Sequence, residues 1–296
     1  MPINSGSRFL FVINPRAGGK DKGVWEAAIQ KNFAELPHSY TFWQTTGTDD
    51  KRKLSAEIKI RKPQRLIAVG GDGTLRLVAE LAARFNLVAG MLPAGSANGM
   101  ASELSLPTAP EEALQVILAD YTVQMDAIQV NNHYSIHLSD AGLNAQLIAH
   151  FEETAGRGLW NYGRLILKTL RQRQSFVAKL FIDGKYIRRR AAMILIANGR
   201  SYGTGVLVNE TGSLHDGSFE VLVFRNIHFW GVVRSFLKGK PVFQPKHEVY
   251  TTTQLQIKLR RPVPFQVDGE FMGRVRAIEA QILPRNVRML VSEPLP

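Results

Sequence analysis

Residues 65–74 read Arg-Leu-Ile-Ala-Val-Gly-Gly-Asp-Gly-Thr, an apolar strand-like run that passes directly into a glycine-rich turn. Apolar residues then recur at helical spacing at Leu75, Val78 and Ala82, so the turn is predicted to join a strand to a helix. Its glycines would lie at the amino end of that helix, where backbone N–H groups attract phosphate and the bare chain can approach an anion closely. Taken alone, the motif is equally well explained as a structural turn.

The same strand-and-loop pattern recurs on both sides of this stretch. Small-residue loops follow two other predicted strands, at Asn14–Lys20 and Pro93–Gly99. Because open parallel sheets bind ligands at the carboxyl ends of their strands, the three loops together predict one nucleotide site. Neither added loop has the spacing of a Gly-Lys-Ser/Thr phosphate loop or of a dinucleotide-binding fingerprint. The predicted strands of this parallel α/β region are Arg8–Ile13, Tyr40–Thr45, Arg65–Val69 and Leu87–Leu92.

A second type of pattern begins after Asp126. Longer β-type runs are separated by dipeptides that favour tight turns, which predicts a mostly antiparallel second domain. Helical insertions are predicted around Leu159–Gln174 and His228–Lys238. The turn dipeptides are Asn131-Asn132, Asp183-Gly184, Asp216-Gly217 and Asp268-Gly269.

Composition limits the chemistry and the environment. The chain has no cysteine, which excludes disulfides, thiolate zinc sites and thiol nucleophiles and suits the cytoplasm. The apolar run Ala191–Ala197 is far shorter than the ~20 residues of a membrane-spanning helix, so any membrane contact is expected to be peripheral. Residues 1–127 carry 14 Lys and Arg against 13 Asp and Glu, or +1, whereas residues 128–296 carry 23 against 12, or +11. The basic second part predicts attraction to an anionic membrane or to nucleic acid, with a solvated surface as the alternative.

The three loops in this order, with Val267-Asp268-Gly269-Glu270 far downstream, resemble the diacylglycerol kinase catalytic-domain family. That family includes sphingosine, ceramide and bacterial lipid kinases, and the resemblance covers nearly the whole chain. It implies an α/β nucleotide-binding domain like that of NAD kinase and phosphofructokinase, a lipid-binding β-sandwich, and a last strand that returns to the first domain. The implied boundaries are 1–127, 128–285 and 286–296, with Val287–Val291 as the returning strand.

The resemblance also implies an activity, the transfer of the ATP γ-phosphate to a lipid hydroxyl in the cleft between the domains. Diacylglycerol or a related lipid alcohol is the implied acceptor, although no motif specifies which. Family members use a carboxylate of the Asp-Gly-Glu motif as general base, which implies Asp268 or Glu270, although an Asp-Gly pair alone is first a turn signal. The implied ATP contacts are Asn14, Pro15, Arg16, Ala17, Gly18, Thr45, Gly70, Gly71, Asp72, Gly73, Thr74 and Ser96.

Magnesium is the implied cofactor, because phosphoryl transfer needs cations to neutralise the phosphate oxygens. Asp72, which we also count among the catalytic residues, and Asp126 match acidic positions that organise it through water in bacterial relatives. Asp216 matches the side-chain ligand of a structural metal in some relatives, with backbone carbonyls of neighbouring residues as further ligands. A plain hairpin turn is the equal alternative at Asp216.

Two positions depart from the family pattern. Leu77 stands where the family usually has an acidic residue, and Gly99 stands where many bacterial members have aspartate. Glu80, almost one helical turn beyond Leu77, could compensate only from a shifted position. Either the metal network is rearranged in this chain, or the protein is a catalytically weak, nucleotide-binding regulatory relative of the family.

The partners follow from charge and from the competing functions. A kinase of a soluble substrate such as NAD is the alternative enzyme, but the Asn-Pro-Arg-Ala-Gly-Gly loop favours the lipid branch. No nucleic-acid motif is present, so we expect no nucleic-acid partner. Arg164, Lys168 and Arg171 share one predicted helical face and Arg188–Arg190 follow nearby, which predicts peripheral docking on an anionic membrane. An amphipathic helix that covers a sheet is the equal alternative for this segment. An edge strand of the second domain could pair with its copy in a homodimer.

Overall fold

The computed structural model describes residues 6–19, 22–96, 98–153, 175–201, 207–209, 212–226 and 247–293, without the side chains of 150–153. The helical insertions predicted around Leu159–Gln174 and His228–Lys238 lie outside these residues. The chain divides into two compact units, Met1–Met125 with Arg285–Pro296, and Asp126–Pro284. Within the described ranges, no helix has both the length and the apolar character needed to cross a bilayer.

The first unit is a parallel sheet with helices, as the strand-and-helix alternation predicts. Its strands β1 to β4 are ordered β2-β1-β3-β4, and each neighbouring pair is parallel. Every residue of β3 and β4 is buried, which is why both read as unbroken apolar runs. The strands are β1 (Arg8–Ile13), β2 (Ser39–Gln44), β3 (Arg65–Gly70) and β4 (Val88–Pro93). The helices are α1 (Gly23–Phe33), α2 (Asp50–Arg61), α3 (Asp72–Phe85), α4 (Gly99–Glu103) and α5 (Pro110–Ala119), with a 3-10 turn at Ala17–Gly19.

The second unit is antiparallel, which confirms the predicted fold class of a parallel α/β domain followed by a β-sandwich. Strand β13 pairs with β14 along one side and with β8 and then β7 along the other. An apolar cluster around Phe176, Phe219 and Phe265 fills the core. The strands are β5 (Thr122–Val130), β6 (His133–Ser135), β7 (Leu138–Gly142), β8 (Phe176–Ile182), β9 (Lys185–Ala191), β10 (Met193–Ala197), β11 (Phe219–Phe224), β12 (His247–Thr252), β13 (Gln254–Val267) and β14 (Glu270–Leu290). One helix, α6 (Leu143–Glu153), follows β7.

The end of the chain belongs to the first unit. The last part of β14 runs parallel to β4, with Arg288 and Met289 opposite Val88 and Ala89. Beyond it, the Val291 N–H donates to the Tyr121 carbonyl at 3.0 Å. The strand predicted at Val287–Val291 overlaps this segment.

Two of the predicted Asp-Gly dipeptides form two-residue hairpins, as does Asn131-Asn132 between β5 and β6. Asp183 and Gly184 join β8 to β9 with φ of 48° and 77°, and Asp268 and Gly269 join β13 to β14 with φ of 47° and 85°. Two consecutive positive φ angles match the right-handed twist of the flanking strands and favour Asp-Gly. The second hairpin places the Asp-Gly-Glu motif at a tight turn.

Candidate functional site

The three glycine-containing loops of the first unit pack backbone against backbone. A Cβ atom on Gly18 would lie 2.6 Å from the Ala94 carbonyl oxygen, and one on Gly95 would lie 2.5 Å from the Gly71 Cα. Gly18 also has a φ of 66°, which side chains disfavour. The loops after β1, β3 and β4 therefore meet at one edge of the sheet, and glycine is required where they touch.

The amino end of α3 opens at this edge. The helix begins at Asp72 after Gly71, which has no side chain with which to cap it. The first N–H groups of a helix have no partner within the helix, so this end suits an anionic ligand. Beside it, the Asn14 side-chain amide donates to the Thr74 hydroxyl at 3.3 Å, which connects the first two loops.

Asp72 has a defined structural role. Its two carboxylate oxygens accept the N–H groups of Gly99, at 2.8 Å, and of Met100, at 2.9 Å. The side chain therefore connects the start of α3 to the start of α4. A carboxylate has about four lone-pair sites, so contact with a hydrated cation is compatible with these two bonds.

Asn98 shapes the third loop, although sequence analysis assigned it no role. Its side-chain oxygen accepts the Gly95 N–H at 2.9 Å, and its amide donates to the carbonyls of Gly95 at 3.1 Å and Pro93 at 3.3 Å. Its φ of 49° is left-handed, a conformation that asparagine tolerates. The sequence feature that could have indicated this role is an asparagine in a glycine- and serine-rich turn.

Lys22 is a second residue that sequence analysis missed. It is 6% exposed, and its ammonium donates to the carbonyls of Ala17 at 2.5 Å and Ala94 at 2.6 Å. The side chain thus connects the first loop to the third. Nothing local predicts this, because most lysines lie on the surface.

Replacing Lys22 with methionine is expected to lower the free energy of unfolding by about 2 kcal/mol, because two buried carbonyls would lose their donor. The ATP affinity should fall as well, since the first and third loops lose a connection. Urea unfolding and equilibrium nucleotide binding measure the two effects. Lys31→Met, at an exposed position of α1, the helix that Lys22 precedes, is the control and should change neither. Equal stability of the two variants would contradict the structural role of Lys22.

The loop after β2 lies beside the first loop. The Thr45 N–H donates to the Ile13 carbonyl at 2.9 Å, and the guanidinium of Arg16 lies near Gly47, 3.5 Å from where a Cβ would be. Asp50 accepts the N–H groups of Thr46 at 2.9 Å and Gly47 at 2.8 Å. Burial raises the pKa of Asp50, but these hydrogen bonds outweigh it and leave the pKa below its ordinary value. An ionised carboxylate therefore holds the loop next to Arg16.

All the predicted ATP contacts belong to this unit and to its loop edge. Asn14 connects to the second loop, whereas Ser96 in the third loop is exposed. The described loops provide backbone donors and one guanidinium. Backbone N–H groups at a helix start and a nearby cation are groups that bind phosphate.

Asp268 is enclosed by the β6–β7 turn of the second unit. It is 7% exposed, and its carboxylate accepts the Ser135 hydroxyl at 2.8 Å. It also accepts the N–H groups of Ile136 at 2.9 Å, His137 at 3.1 Å and Leu138 at 3.1 Å. Four donors converge on one carboxylate, so Asp268 holds this turn against the β13–β14 hairpin.

Glu270 lies two residues further on, in a different environment. It is exposed and begins β14 opposite Val267. The hairpin that carries it is held by Gln266, whose side-chain oxygen accepts the Gly269 N–H at 2.8 Å. The motif therefore contains one carboxylate that supports structure and one that faces solvent.

The two further predicted metal positions are both near the turn before β11. Asp126 is fully buried, its N–H donates to the Leu214 carbonyl at 2.7 Å, and its carboxylate accepts the Gly217 N–H at 2.6 Å. The exposed Asp216 accepts the Ser218 N–H at 2.9 Å and the Ser218 hydroxyl at 3.0 Å. In the part of the chain that the structure describes, no three His, Cys, Asp or Glu side chains form a group that could hold a metal. The metal site at the Asp216 turn therefore stays a prediction.

The residues at the departures from the family pattern also have identifiable partners. The Gly99 N–H is bound by Asp72, as described above, and Leu77 is half-buried. Glu80 forms an ion pair with Lys51 of α2. Its carboxylate thus contacts the neighbouring helix.

Comparison with known families covers most of the chain. Residues 8–130 match the diacylglycerol kinase catalytic domain, and residues 139–291 match the YegS C-terminal NAD kinase beta sandwich-like domain. The chain belongs to the diacylglycerol kinase catalytic-domain family. This confirms the resemblance drawn from the loops and, with it, the predicted enzyme class of lipid kinase.

Individual members of the diacylglycerol kinase family are distant in sequence. The chain is 24% identical over 280 residues to a protein named diacylglycerol kinase from Bacillus subtilis (strain 168), covering 90% of each chain. It is 28% identical over 259 residues to a "Probable lipid kinase YegS-like" from Chromohalobacter salexigens, covering 80% of this chain and 79% of the other. A crystal structure of a diacylglycerol kinase from Bacillus anthracis str. Sterne superposes with a TM-score of 0.73 at 17% identity, over 97% of each chain. The last comparison shows that the fold is shared.

Proposed function

We propose that this protein is an ATP-dependent kinase that transfers the γ-phosphate to the hydroxyl of diacylglycerol or a related lipid alcohol. The observation that carries the proposal is the convergence of three loops at one sheet edge, with Gly18 and Gly71 packed against the third loop. Bare backbone and an open helix end are the features that bind nucleotide phosphates in parallel α/β folds. The lipid acceptor is supported by membership in the lipid kinase family.

Magnesium would neutralise the ATP phosphates during transfer. The residues present fit a cation that arrives with the nucleotide and keeps its waters, since magnesium commonly binds through only one or two carboxylates. Asp72, at the open end of α3, would contact it through water. The contact at Asp126, which is fully buried, stays a prediction from the family resemblance. The chain's own part is to position these carboxylates by the backbone hydrogen bonds of Gly99, Met100 and Gly217.

We assign the general base to Glu270 and a positioning role to Asp268. In the reaction, the acceptor oxygen bonds to the γ-phosphorus, its proton passes to the carboxylate, and the bond from the γ-phosphorus to the ADP oxygen breaks. A base must reach the substrate hydroxyl, and Glu270 is exposed whereas Asp268 is buried among four donors. The environments of the two side chains support this division.

The test is magnesium-dependent transfer of labelled γ-phosphate from ATP into a panel of lipid alcohols in anionic mixed micelles and, in parallel reactions, into NAD. Glu270→Gln is expected to lower kcat at least ~100-fold, the usual contribution of a general base. ATP affinity and urea stability should stay at wild-type values, because the side chain is exposed. Glu279→Gln, exposed on the same strand, is the matched control and should keep full activity.

The outcomes separate the candidate functions. Labelled lipid from the wild type, with the Glu270 variant inactive, supports both the kinase and the assigned base. Wild-type activity in Glu270→Gln would show that Glu270 is not the general base and would leave Asp268 or Asp72 as the candidates. Label in NAD instead of lipid would show a soluble-substrate kinase.

A catalytically weak regulatory relative is the second candidate, favoured by one specific observation. Glu80, the acid that could replace the missing carboxylate at Leu77, is engaged by Lys51 on α2. ATP binding without any labelled product would support this candidate. In either case we place the protein in the cytoplasm, peripherally bound to the membrane that contains its substrate.

A further inference from the structure

Three cations lie side by side on the exposed face of the second unit. Strands β9, β8 and β13 are neighbours, and their registers place Arg188 opposite Lys179 and Lys179 opposite Lys258. All three side chains are exposed, and we call them the basic row. Like charges directly opposite each other destabilise a sheet, so the row carries a cost for folding that an anionic ligand would offset.

Among the residues that the structure describes, no carboxylate neutralises the charges of the basic row. None of its three members forms an ion pair there, whereas the adjacent Arg189 is bound to Glu248. The hydrogen bond from Tyr250 and those from Arg189 and Arg225, acting against burial, hold the pKa of Glu248 at about 2. The sequence Arg188-Arg189 therefore has one arginine neutralised within the fold and one that presents its charge to solvent.

An exposed aromatic side chain adjoins the basic row. Tyr186 is 78% exposed and packs on Phe181 with ring centroids 4.8 Å apart, in the row next to Lys179 and Arg188. Tyr186, Ile187 and the basic row line a groove of ≈ 400 Å³. Tyrosine with flanking lysine and arginine is the composition that proteins present to the headgroup layer of a membrane.

We propose that this face docks the protein on the anionic headgroup surface of a bilayer, with the basic row against lipid phosphates and Tyr186 inserted between headgroups. This proposal rests on the proposed function, because a lipid kinase must reach an acceptor that stays in the membrane. The charge and the exposed tyrosine favour a bilayer. The predicted basic helix at Leu159–Gln174 lies outside the described residues and is not needed for this surface.

The test measures binding to vesicles without ATP, so it does not depend on catalysis. Wild type, the triple variant Lys179→Gln/Arg188→Gln/Lys258→Gln and a control triple variant, Lys31→Gln/Lys59→Gln/Arg84→Gln, are sedimented with phosphatidylcholine vesicles with and without phosphatidylglycerol. The control removes the same charge from exposed positions of the first unit. At about one factor of five per basic residue, loss of the basic row should weaken binding to anionic vesicles ~100-fold. Tyr186→Ser should weaken it by a smaller factor.

Wild-type binding that requires phosphatidylglycerol, is lost in the first triple variant and is kept in the control would support the docking face. Equal binding by both triple variants, or equal wild-type binding to neutral vesicles, would overturn it. A gel shift with duplex DNA is run on the same proteins. Loss of DNA binding by the first variant without any change in vesicle binding would overturn the membrane proposal and assign the face to nucleic acid. Phosphorylation of acceptor in neutral detergent micelles should be unchanged by the first variant, so failure of the kinase proposal and failure of the docking proposal give different results.

Discussion

Replacing Gly95 with alanine is expected to weaken ATP binding ~100-fold and to lower the free energy of unfolding by about 3 kcal/mol. The added methyl would lie 2.5 Å from both the Gly71 Cα and the Asn98 side-chain oxygen, and 3.0 Å from the Gly71 nitrogen. Backbone cannot move aside as a flexible side chain can, so the second and third loops would have to separate. Their separation would displace the phosphate-facing N–H groups at the start of α3.

Gly71→Ala is the matched control, because it adds the same methyl from the opposite side of the contact. That methyl would lie 3.4 Å from the Gly95 Cα and 3.8 Å from the Asn98 oxygen, within ordinary contact distances. Its stability should stay within about 1 kcal/mol of the wild type. Urea unfolding and calorimetric ATP titration measure both variants. Wild-type stability of Gly95→Ala would show that the loops do not pack as described.

A loss of ATP affinity in Gly71→Ala without a loss of stability would have a different meaning. It would show that the added methyl contacts the phosphate, because the fold would be intact. The glycine pair therefore separates a packing requirement, at Gly95, from close approach to a ligand, at Gly71. That distinction bears directly on the proposed nucleotide site.

Asp268→Asn is expected to lower the free energy of unfolding by about 3 kcal/mol. One carboxylate oxygen would become an amide that donates, so at least one buried N–H group of the β6–β7 turn would lose its acceptor. The expected loss of stability does not come from the backbone, because the φ of 47° at Asp268 is left-handed and asparagine adopts such a φ readily. The loss would come from the side-chain hydrogen bonds alone.

Asp183→Asn provides the control at the corresponding position of the β8–β9 hairpin. Asp183 has a φ of 48°, and its carboxylate accepts the Thr252 hydroxyl at 3.0 Å. Because at most this one hydrogen bond is lost, the free energy of unfolding should fall by no more than about 1 kcal/mol, as measured by urea unfolding. Full stability of Asp268→Asn combined with loss of turnover would reverse our assignment and make Asp268 the base.

These results bear on how the Asp-Gly-Glu motif is interpreted. Loss of activity on changing Asp268 would not by itself identify a base, because the same change removes the support of a turn whose backbone is 130 to 132 residues away in sequence. Activity must therefore be expressed per folded molecule. Glu270, which is exposed, gives the cleaner test of proton transfer.

The amino-acid sequence by itself determined the fold class and, to within one residue, the bounds of the four parallel strands. The strand predicted at Arg8–Ile13 is observed with the same bounds, and the strand predicted at Leu87–Leu92 is observed one residue later, at Val88–Pro93. The Asp-Gly hairpins and the glycine-rich loops after β1, β3 and β4 were also predictable. These features depend on periodicity and turn chemistry within a few neighbouring residues, which the sequence displays directly.

Only the tertiary structure decided which side chains those loops and hairpins would engage. Lys22 is buried against Ala94, 72 residues away, and Asp72 binds the start of α4, 27 and 28 residues away. The basic row likewise depends on the registers of three strands, in which Lys258 and Lys179 are far apart in sequence. Such partners are chosen by long-range packing, because a buried polar group takes whichever donor or acceptor the fold brings within reach, and no local pattern specifies that choice.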